Sequence, residues 1–226
     1  MLYLVATPIG NLGDISLRAL EILRAADLVA AEDTRHSLHL LNHHQIRVSL
    51  VSYHAHNEAR RTAELLHHLQ AGKTIALITD AGMPSISDPG HRLLKACIEN
   101  QIPYSVIPGA SAVLTALVGS GFDTSTFFFG GFIPVKSGRR ERVLSEAAVR
   151  TCTTVFFESP HRLTKTLDAA QRLLSQRRLC VARELTKKFE EYRTGSPSEL
   201  FTHYSAHTPK GEIALLVDAG PASEPL

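Results

Sequence analysis

The polar side chains best suited to chemistry are concentrated in the segment Thr79–Gly90. Two carboxylates and two hydroxyls lie within it, from Asp80, Asp88, Ser85 and Ser87. Gly82 has no Cβ, so the backbone there can approach a bound molecule closely. We therefore expect this segment to bind a ligand. The alternative is a capped turn, with Asp88 as helix N-cap and Pro89 at the first helical position.

The flanking elements place this segment at the edge of a sheet. The short apolar run Thr74–Ile78 is partly β-branched and predicts a buried strand, and a helical pattern follows from about Gly90 to Asn100. A strand that passes directly into a helix is typical of a parallel α/β sheet. Such sheets bind ligands at the carboxyl ends of their strands.

Three other strands of the first half are predicted to end in similar corners. Leu2–Ala6 runs into Thr7–Asp14, where neither a G-x-G-x-x-G pattern nor a P-loop lysine is present. This disfavours a nucleotide diphosphate, and Asp14 is predicted to cap a helix from about Ile15 to Ala26. Tyr104–Ile107 leads to Pro108-Gly109-Ala110-Ser111-Ala112.

The predicted strand Leu28–Ala31 is followed by Glu32-Asp33-Thr34-Arg35. Consecutive carboxylates followed by an arginine at the carboxyl end of a strand are candidates for work on a substrate. A local ion pair that ends the strand explains the same residues equally well.

The second half repeats the alternation of strands and helices after Gly119-Ser120-Gly121, which predicts a domain boundary. We expect an α/β fold of two α/β domains with mostly parallel sheets, residues 1–119 and 122–218, and a ligand cleft between them. The tail, residues 219–226, is rich in Gly, Pro and Ser and predicted to be flexible. The predicted strands of the second half are Thr126–Phe129, Thr153–Phe157, Cys180–Ala182 and Ile213–Val217.

Charge is distributed unevenly along the chain. The net formal charge of +2 names no partner, but residues 136–193 carry 14 Lys or Arg against 7 Asp or Glu, so 14 − 7 = +7, and the rest carries 10 − 15 = −5. A basic second half suits phosphate groups, although an ordinary solvated surface has the same composition.

Cysteine and histidine usage argues against disulfides and metals. Cys97, Cys152 and Cys180 are odd in number and widely spaced, which fits a reducing, cytoplasmic setting. The 12 histidines include no H-E-x-x-H pattern, so no metal site is predicted. The N-terminus lacks the basic region of a signal peptide, and no apolar run approaches the roughly 20 residues of a membrane span.

Taken together, several motifs resemble the tetrapyrrole methylase superfamily over nearly the whole chain and in the same order. The motifs are Ala6–Asp14, Ala31–His36, Asp80–Pro84, Ser87–Gly90, Phe157–Arg162 and Ala182–Lys187. Each motif alone is weak, and their combination is specific.

The resemblance implies two α/β domains, S-adenosylmethionine as cofactor in the cleft, and a homodimer. The motifs are most similar to members that methylate the ribose 2′-oxygen of a cytidine in the decoding region of 16S rRNA. The cofactor contacts implied are Pro8, Gly82, Met83, Ile86, Ser111 and Ala112 in the first part of the chain, and Phe157, Ala182, Gly211 and Glu212 in the second.

Two features depart from the family pattern. Members usually carry a helical C-terminal extension thought to help grip RNA, whereas this sequence ends shortly after its last predicted strand. Many superfamily members also have Asp where Met83 stands, so the ribose contact expected there would be made by backbone.

The same resemblance leads to candidate residues for the reaction. A ribose hydroxyl is a poor nucleophile while protonated, so a general base would help; the candidates are Asp33, Glu184, Lys187 and His54. Asp33 and Arg35 are the first candidates for catalysis. Arginines and lysines expected to hold RNA phosphates are Lys136, Arg139, Arg140 and Arg162, with Arg35.

Two other functions stay open from the sequence. One is an S-adenosylmethionine-dependent C-methylase of a tetrapyrrole precursor, which would share fold and cofactor. The other is a non-catalytic module that binds RNA or the ribosome. The basic second half and the Glu32–Arg35 motif favour rRNA as substrate.

Overall fold

The computed structural model describes residues 1–220 and divides the chain into two units, Met1–Ser111 and the part that begins at Ala112. Residues 221–226, most of the predicted flexible tail, lie outside the described residues. Each unit combines helices with one five-stranded sheet, so the predicted α/β class is confirmed for both.

The first unit is a parallel sheet with helices on both faces. Its strand order is β3-β2-β4-β1-β5 and all four pairings are parallel. The strands are β1 (Leu2–Val5), β2 (Leu28–Ala31), β3 (Leu50–Ser52), β4 (Ile75–Ile78) and β5 (Tyr104–Ile107). The helices are α1 (Leu17–Ala25), α2 (Thr34–His43), α3 (Glu58–Gln70) and α4 (His91–Glu99), with a 3-10 turn at Leu12–Asp14.

Alternating side chains of the strands feed two separate apolar cores. One core joins β1, through Val5, to Leu23 of α1 and Leu41 of α2. The other joins the same strand, through Leu4, to Leu65 of α3 and Leu93 of α4. Because both faces are covered, the strands consist of nearly continuous apolar runs.

In this strand order, the direction in which successive strands are added to the sheet reverses, and the reversal lies between the neighbouring strands β1 and β4. The chain leaves β1 towards β2 on one side, and leaves β4 towards β5 on the other. Loops that diverge in this way open a crevice at the carboxyl edge of the sheet, where ligands of such sheets bind.

Two predicted helix caps are wrong. Ser16, not Asp14, caps α1, and its side chain accepts a hydrogen bond from Ala19 N; Asp14 instead ends the 3-10 turn. The N-cap of α4 is Gly90, at φ 140°, without a side-chain cap, and Asp88 lies before it. The capped-turn alternative for Asp88 is thereby excluded.

The second unit contains four helices and a mixed sheet within its described residues. Its order is β6-β7-β10-β8-β9, with only β6 and β7 parallel and the other three pairings antiparallel. The expectation of mostly parallel sheets therefore holds for the first unit and is wrong for the second. The elements are α5 (Ala112–Ser120), β6 (Phe127–Phe132), α6 (Ser137–Ala148), β7 (Thr153–Glu158), α7 (Leu163–Leu173), β8 (Leu179–Arg183), β9 (Glu191–Gly195), α8 (Pro197–Ala206) and β10 (Ile213–Val217).

The division of the chain falls one helix earlier than the predicted linker at Gly119–Gly121. Helix α5 packs against strands β7 to β10 of the second sheet. Gly119 permits this, because a Cβ there would overlap the ring of Tyr192. Strand β9, which carries Tyr192, was not predicted because Glu191-Tyr192-Arg193-Thr194-Gly195 is a polar edge strand without an apolar run.

Candidate functional site

The loops that follow β1 and β4 are joined by a pair of reciprocal backbone hydrogen bonds. Thr7 N donates to Gly82 O at 2.9 Å and Gly82 N donates to Thr7 O at 3.1 Å. The buried hydroxyl of Thr7 also donates to Thr79 O at 3.0 Å. Thr7 was not predicted as a site residue. The feature of the sequence that could have indicated it is a hydroxyl side chain placed directly after a buried strand.

The corner after β5 lies against the same place. A Cβ on Gly109 would be 2.9 Å from the Cβ of Ala6, and a Cβ on Gly82 would be 3.7 Å from the carbonyl oxygen of Ala110. The structure thus brings together the loops that carry Pro8, Gly82 and Ser111, three of the predicted cofactor contacts. Ala112 begins the second unit.

Backbone conformation in Thr79–Gly90 is strained. Ser85 has φ 71° and Ser87 has φ 66°, in the left-handed region that favours glycine. Each such residue costs on the order of 1 kcal/mol or more, and such strain is found preferentially at functional sites. Ser85 N donates to Pro89 O and Ile86 N to Met83 O, both at 3.3 Å, which holds the loop folded on itself. Ile86 remains 46% exposed.

Carboxylates gather where β2 and β4 end. Thr79 Oγ1 donates to Glu32 Oε2 at 2.6 Å, and Asp33 N donates to Asp80 Oδ1 at 3.0 Å. Burial and the negative charge of Glu32 raise the pKa of Asp88 to about 6. Burial likewise raises the pKa of Asp80. The edge of the first sheet is thus a half-buried acidic region that favours a cation.

Asp33 and Arg35 form a bidentate local pair. Arg35 Nε and Nη2 donate to the two carboxylate oxygens of Asp33 at 3.1 and 2.8 Å. Asp33 is also the N-cap of α2, accepting from Arg35 N at 2.9 Å. The hydrogen bonds from Arg35 hold the pKa of Asp33 well below its usual range. A carboxylate of such low pKa is a weak base at neutral pH.

His54, another predicted base, belongs to the turn before α3. Its backbone N donates to Asn57 Oδ1 at 2.9 Å, and its ring Nε2 lies 3.2 Å from Asn57 Nδ2. Its Nδ1 is buried without a hydrogen-bond partner within the described residues. The histidine is therefore tied to the turn by both backbone and ring.

In the second unit, Glu184, Lys187 and Glu212 form one cluster. The antiparallel pairing of β8 with β10 sets Arg183 opposite Ile213, so the flanking residues meet. Lys187 Nζ donates to Glu184 Oε1 at 3.0 Å and to Glu212 Oε2 at 2.9 Å. Burial lowers the pKa of Lys187, but the hydrogen bonds to Glu212 and Glu184 outweigh it, so that the pKa lies above the usual value. Lys187 is therefore charged and a poor base.

Gly211 is required by this cluster. It has φ 82°, and a Cβ there would overlap the carboxylate of Glu184. Glu184 itself has φ 51° and Thr186 has φ 64°. Ala182, the neighbouring predicted cofactor contact, is fully buried in β8. Among the predicted residues, the structure joins Ala182, Glu184, Lys187, Gly211 and Glu212 at one end of the second sheet.

Phe157 belongs to an aromatic cluster on β6 and β7. Its ring centroid is 5.1 Å from that of Phe129 and 5.3 Å from that of Phe132, in edge-to-face and tilted geometry. This packing fixes the direction of the Phe157 ring at the end of β7.

Apart from Arg35, the predicted phosphate-binding residues are of two kinds. Lys136 and Arg139 are exposed, and neither side chain has an ion-pair partner within residues 1–220. Arg140 Nη1 donates to Val135 O at 3.3 Å. Arg162 is largely covered and forms an ion pair at 2.8 Å with the buried carboxylate of Glu158.

Glu158 and Arg162 hold the corner after β7. The carboxylate of Glu158 also accepts from Ser159 N and from the hydroxyl of Thr166, and Arg162 Nη1 donates to Ile133 O at 3.2 Å. The arginine therefore ties the loop that leads to Lys136 to the corner of β7. Its role in this corner is structural.

Neither a metal site nor a membrane span is found in the described part of the chain. No group of three or more His, Cys, Asp or Glu side chains among residues 1–220 is arranged to hold a metal ion. No helix of that part is long and apolar enough to cross a bilayer. Cys97, Cys152 and Cys180 are free thiols.

Comparison with known proteins identifies the family. The family model described as Tetrapyrrole (Corrin/Porphyrin) Methylases matches residues 1–200. The chain therefore belongs to the tetrapyrrole methylase family, as predicted. Family membership also confirms the predicted enzyme class, a methyltransferase, and its methyl donor, S-adenosylmethionine.

Individual relatives are similar over nearly the whole chain. The chain is 50% identical over 218 residues to the Ribosomal RNA small subunit methyltransferase I of Synechocystis sp., covering 96% of this chain and 78% of that protein. It is 43% identical over 216 residues to the protein of the same name from Thermotoga maritima, covering 96% and 97%. The extension beyond the last strand is thus absent from at least one relative.

A solved structure shares the fold. The uroporphyrin-III-C-methyltransferase of Thermus thermophilus superposes with a TM-score of 0.66, covering 96% of this chain and 94% of that one. At 21% sequence identity this similarity shows the fold alone.

The Glu158–Arg162 pair generates a prediction about stability. Arg162→Ala leaves a buried carboxylate unpaired and is expected to lower the free energy of unfolding by about 3 kcal/mol. Arg139→Ala, at an exposed position, is expected to change it by less than about 0.5 kcal/mol. Urea unfolding of the two variants measures the difference, and equal effects would contradict the structural role of Arg162.

Asp88 generates a prediction about pH. Its pKa in the folded protein, about 6, lies above the ordinary value of 3.8, so the stability it contributes is complete below pH 4 and lost as pH rises through 6. Asp88→Asn removes the titrating carboxyl and with it this loss of stability. The difference in melting temperature, variant minus wild type, should therefore increase from pH 4 to pH 7. The exposed Asp168→Asn serves as control, and parallel curves for Asp88→Asn and wild type would disprove the assignment.

Proposed function

We propose that this chain uses S-adenosylmethionine to methylate the ribose 2′-oxygen of a cytidine in 16S rRNA of the small ribosomal subunit. One observation carries the proposal. Relatives named Ribosomal RNA small subunit methyltransferase I are 42–51% identical over nearly the whole chain. The tetrapyrrole methyltransferase of similar fold is 21% identical. The alternative of a tetrapyrrole substrate is therefore disfavoured.

Residues of both units are assigned to the cofactor. In the first unit they are Pro8, Gly82, Met83, Ile86 and Ser111, and in the second Ala112, Phe157, Ala182, Gly211 and Glu212. The first set fits the donor physically, because the partly exposed side chains of Met83 and Ile86 lie on the loop that forms the half-buried acidic edge, whereas Pro8 and Gly82 are buried beneath it. S-adenosylmethionine carries a sulfonium and an ammonium cation, which such an edge attracts.

Positioning is the main contribution to the rate in this mechanism. When bound, S-adenosylmethionine would supply an electrophilic methyl group, and the sugar oxygen would have to lie in line with it; the O–CH3 bond would form as the S–CH3 bond breaks, leaving S-adenosylhomocysteine, with the hydroxyl proton released to water. Holding two reactants in such geometry contributes several kcal/mol to catalysis, on the order of 7 or more in favourable cases. The folded loop Thr79–Gly90 and the corner at Gly211, which packs against Glu184, are suited to holding the two reactants in this geometry.

Among the proposed catalytic residues, the pair Asp33 and Arg35 acts on the substrate through charge. Arg35 is 89% exposed and its guanidinium is oriented by Asp33, so it is available to a phosphate oxygen of RNA. Asp33 thus orients Arg35 and does not accept the hydroxyl proton. Glu184 and Lys187 form the second pair, in which the hydrogen bonds to Glu212 and Glu184 keep Lys187 charged.

Quaternary structure and location belong to the same proposal. The family resemblance favours a homodimer, which light scattering after size exclusion tests directly. The free thiols at Cys97, Cys152 and Cys180 are compatible with a reducing cytoplasm, where ribosomal subunits are found.

The decisive experiment compares two acceptors. Purified protein is incubated with tritium-labelled S-adenosylmethionine and either small ribosomal subunits or uroporphyrinogen III. We expect label in 16S rRNA, at a 2′-O-methylated cytidine after nuclease digestion. Label in the tetrapyrrole would establish the alternative, and heat of cofactor binding without transfer to either acceptor would favour a binding module.

Gly82 and Gly72 form a matched pair for testing the cofactor loop. Both have positive φ, 81° and 85°, so alanine imposes a similar backbone cost at each position. Gly72 ends α3 with nothing within 4 Å of an added Cβ, whereas Gly82 lies at the junction of the three loops. Gly82→Ala should weaken S-adenosylmethionine binding by about tenfold in calorimetry, from a misplaced loop costing about 1.4 kcal/mol, and Gly72→Ala should not. Equal affinities would remove Gly82 from the site.

Asp33→Asn tests the charge of the Asp33–Arg35 pair without removing the helix cap. Asn caps helices as well as Asp, so the amide oxygen of the substituted side chain still accepts from Arg35 N and the fold is preserved. We expect kcat/KM for small subunits to fall by about tenfold because the charge-assisted bidentate pair is gone, equivalent to about 1.4 kcal/mol. Unchanged kinetics would exclude a role for this carboxylate. The pH profile should not shift, because Asp33 is not the base.

A further inference from the structure

The loop Thr79–Gly90 is bound at its far end by a carboxylate from a different part of the first unit. Gly90 N donates to Glu58 Oε1 at 3.4 Å, and Glu58 is the first residue of α3. The two residues are 32 positions apart in the sequence. Glu58 is absent from the site residues predicted from the sequence, and no motif indicated this contact.

Gly90 is the point at which the loop closes onto itself and onto the sheet. A Cβ at Gly90 would lie 2.5 Å from Ser85 Oγ and 2.9 Å from the side chain of Leu77 in β4. Gly90 is also the N-cap of α4, and it provides no side chain to cap that helix. A carboxylate that accepts from the Gly90 N–H therefore fixes both the end of the loop and the start of α4.

The carboxylate of Glu58 is oriented by a buried phenol. Tyr53 Oη donates to the same oxygen, Glu58 Oε1, at 3.2 Å. Tyr53 is fully buried and belongs to the core cluster that includes Leu65 of α3 and Leu93 of α4. Burial raises the pKa of Tyr53 to about 12, so the phenol stays protonated and remains a donor at neutral pH.

The backbone of Glu58 is fixed by the turn that joins β3 to α3. Asn57 N and Glu58 N both donate to His54 O at 2.9 Å, and Asn57 Nδ2 donates to Ser52 O at 3.2 Å. The backbone and the side chain of Glu58 are thus both held by neighbours other than the loop. The contact with Gly90 therefore costs Glu58 little conformational entropy.

The segment between Gly82 and Gly90 depends on contacts at its two ends. Gly82 is hydrogen-bonded to Thr7 at one end, and Gly90 to Glu58 at the other. The loop's own backbone hydrogen bonds described above are 3.3 Å long, and its two serines at positive φ oppose the folded conformation. Loss of the contact at either end is therefore expected to loosen the residues between them.

We propose that Glu58 is a positioning residue for S-adenosylmethionine, which keeps the loop Thr79–Gly90 in its binding conformation by holding Gly90. The inference rests on the assignment of Gly82, Met83 and Ile86 to the cofactor in the proposed function. Glu58 acts through the loop and does not itself contact the cofactor. It sets the fraction of molecules whose loop is folded, and the apparent affinity is reduced by that fraction.

Two substitutions of Glu58 separate the hydrogen bond from the presence of a side chain. Glu58→Ala removes the acceptor for both Gly90 N and Tyr53 Oη, whereas the amide oxygen of Glu58→Gln can still accept from both. In calorimetry, Glu58→Ala is expected to weaken binding of S-adenosylmethionine about tenfold, as for the loss of a hydrogen bond to a charged group. Glu58→Gln should bind within about threefold of wild type.

Two further substitutions on α3 control for charge and for stability. Glu64→Ala removes an exposed acid of the same helix. Leu69→Val removes a buried methylene from the same core at the other end of α3 and lowers stability without a contact to the loop. Both variants should bind S-adenosylmethionine as wild type does, with melting temperatures reporting how much stability each variant has lost.

Kinetics and hydrogen exchange distinguish positioning from a simple loss of folded protein. A loosened loop raises the KM for S-adenosylmethionine and leaves kcat on small subunits unchanged at saturating cofactor, whereas a smaller folded fraction lowers kcat at unchanged KM. Amide exchange within Thr79–Gly90 should be faster in Glu58→Ala than in wild type, and unchanged in Glu64→Ala.

The outcomes distinguish this inference from the proposed function. If Glu58→Ala binds S-adenosylmethionine no more weakly than Leu69→Val, or if exchange within the loop is unaffected, Glu58 has no positioning role. If wild-type protein binds S-adenosylmethionine but transfers no methyl group to small subunits, the proposed function fails. The calorimetric and exchange measurements need no acceptor, so they still decide the role of Glu58 in that case.

Discussion

The first unit depends on the two backbone hydrogen bonds between Thr7 and Gly82. Without them, the loops that leave β1 and β4 would diverge from adjacent strands with their polar groups unpaired at the edge of the sheet. With these bonds, the backbone groups of each loop are hydrogen-bonded to the other loop, and the hydroxyl of Thr7 also donates to the carbonyl oxygen of Thr79. The constraint explains how a loop with two serines at positive φ remains folded, because strained backbone persists only where its surroundings fix it.

In the second unit, side chains rather than backbone groups join the loops at the end of the sheet. Its sheet is mainly antiparallel, so the corners at Glu184 and Glu212 meet across neighbouring strands. Lys187 joins them through two charge-assisted hydrogen bonds. Because a partly buried charge is costly unless it is paired, the cluster must form as a whole. The same reasoning applies to Glu158, whose buried carboxylate is satisfied by Arg162, Ser159 and Thr166.

Sequence reasoning identified the elements that are continuous apolar runs and missed those defined by pairing. Strands β1, β4 and β10 are buried on both faces and were predicted nearly to the residue, whereas β9 is polar and becomes a strand only through its pairing with β8. The order of elements in the sequence predicted that loops follow the strands. It did not predict the left-handed backbone of Ser85, or that Ser16 caps α1. The contacts of the motif residues were not predictable from spacing, because the partners are far apart in the sequence, 72 residues for Thr7 and Thr79 and 75 for Thr7 and Gly82.

Charge is what separates the two units chemically. The edge of the first sheet gathers Glu32, Asp80 and Asp88 in a half-buried setting, which favours cations and repels anions. The cations Lys136 and Arg139, exposed and without an ion-pair partner among the described residues, belong to the second unit, as does the aromatic edge of β6. Within the acidic unit, Asp33 and Arg35 pair with each other, and the hydrogen bonds from Arg35 keep the pKa of Asp33 low.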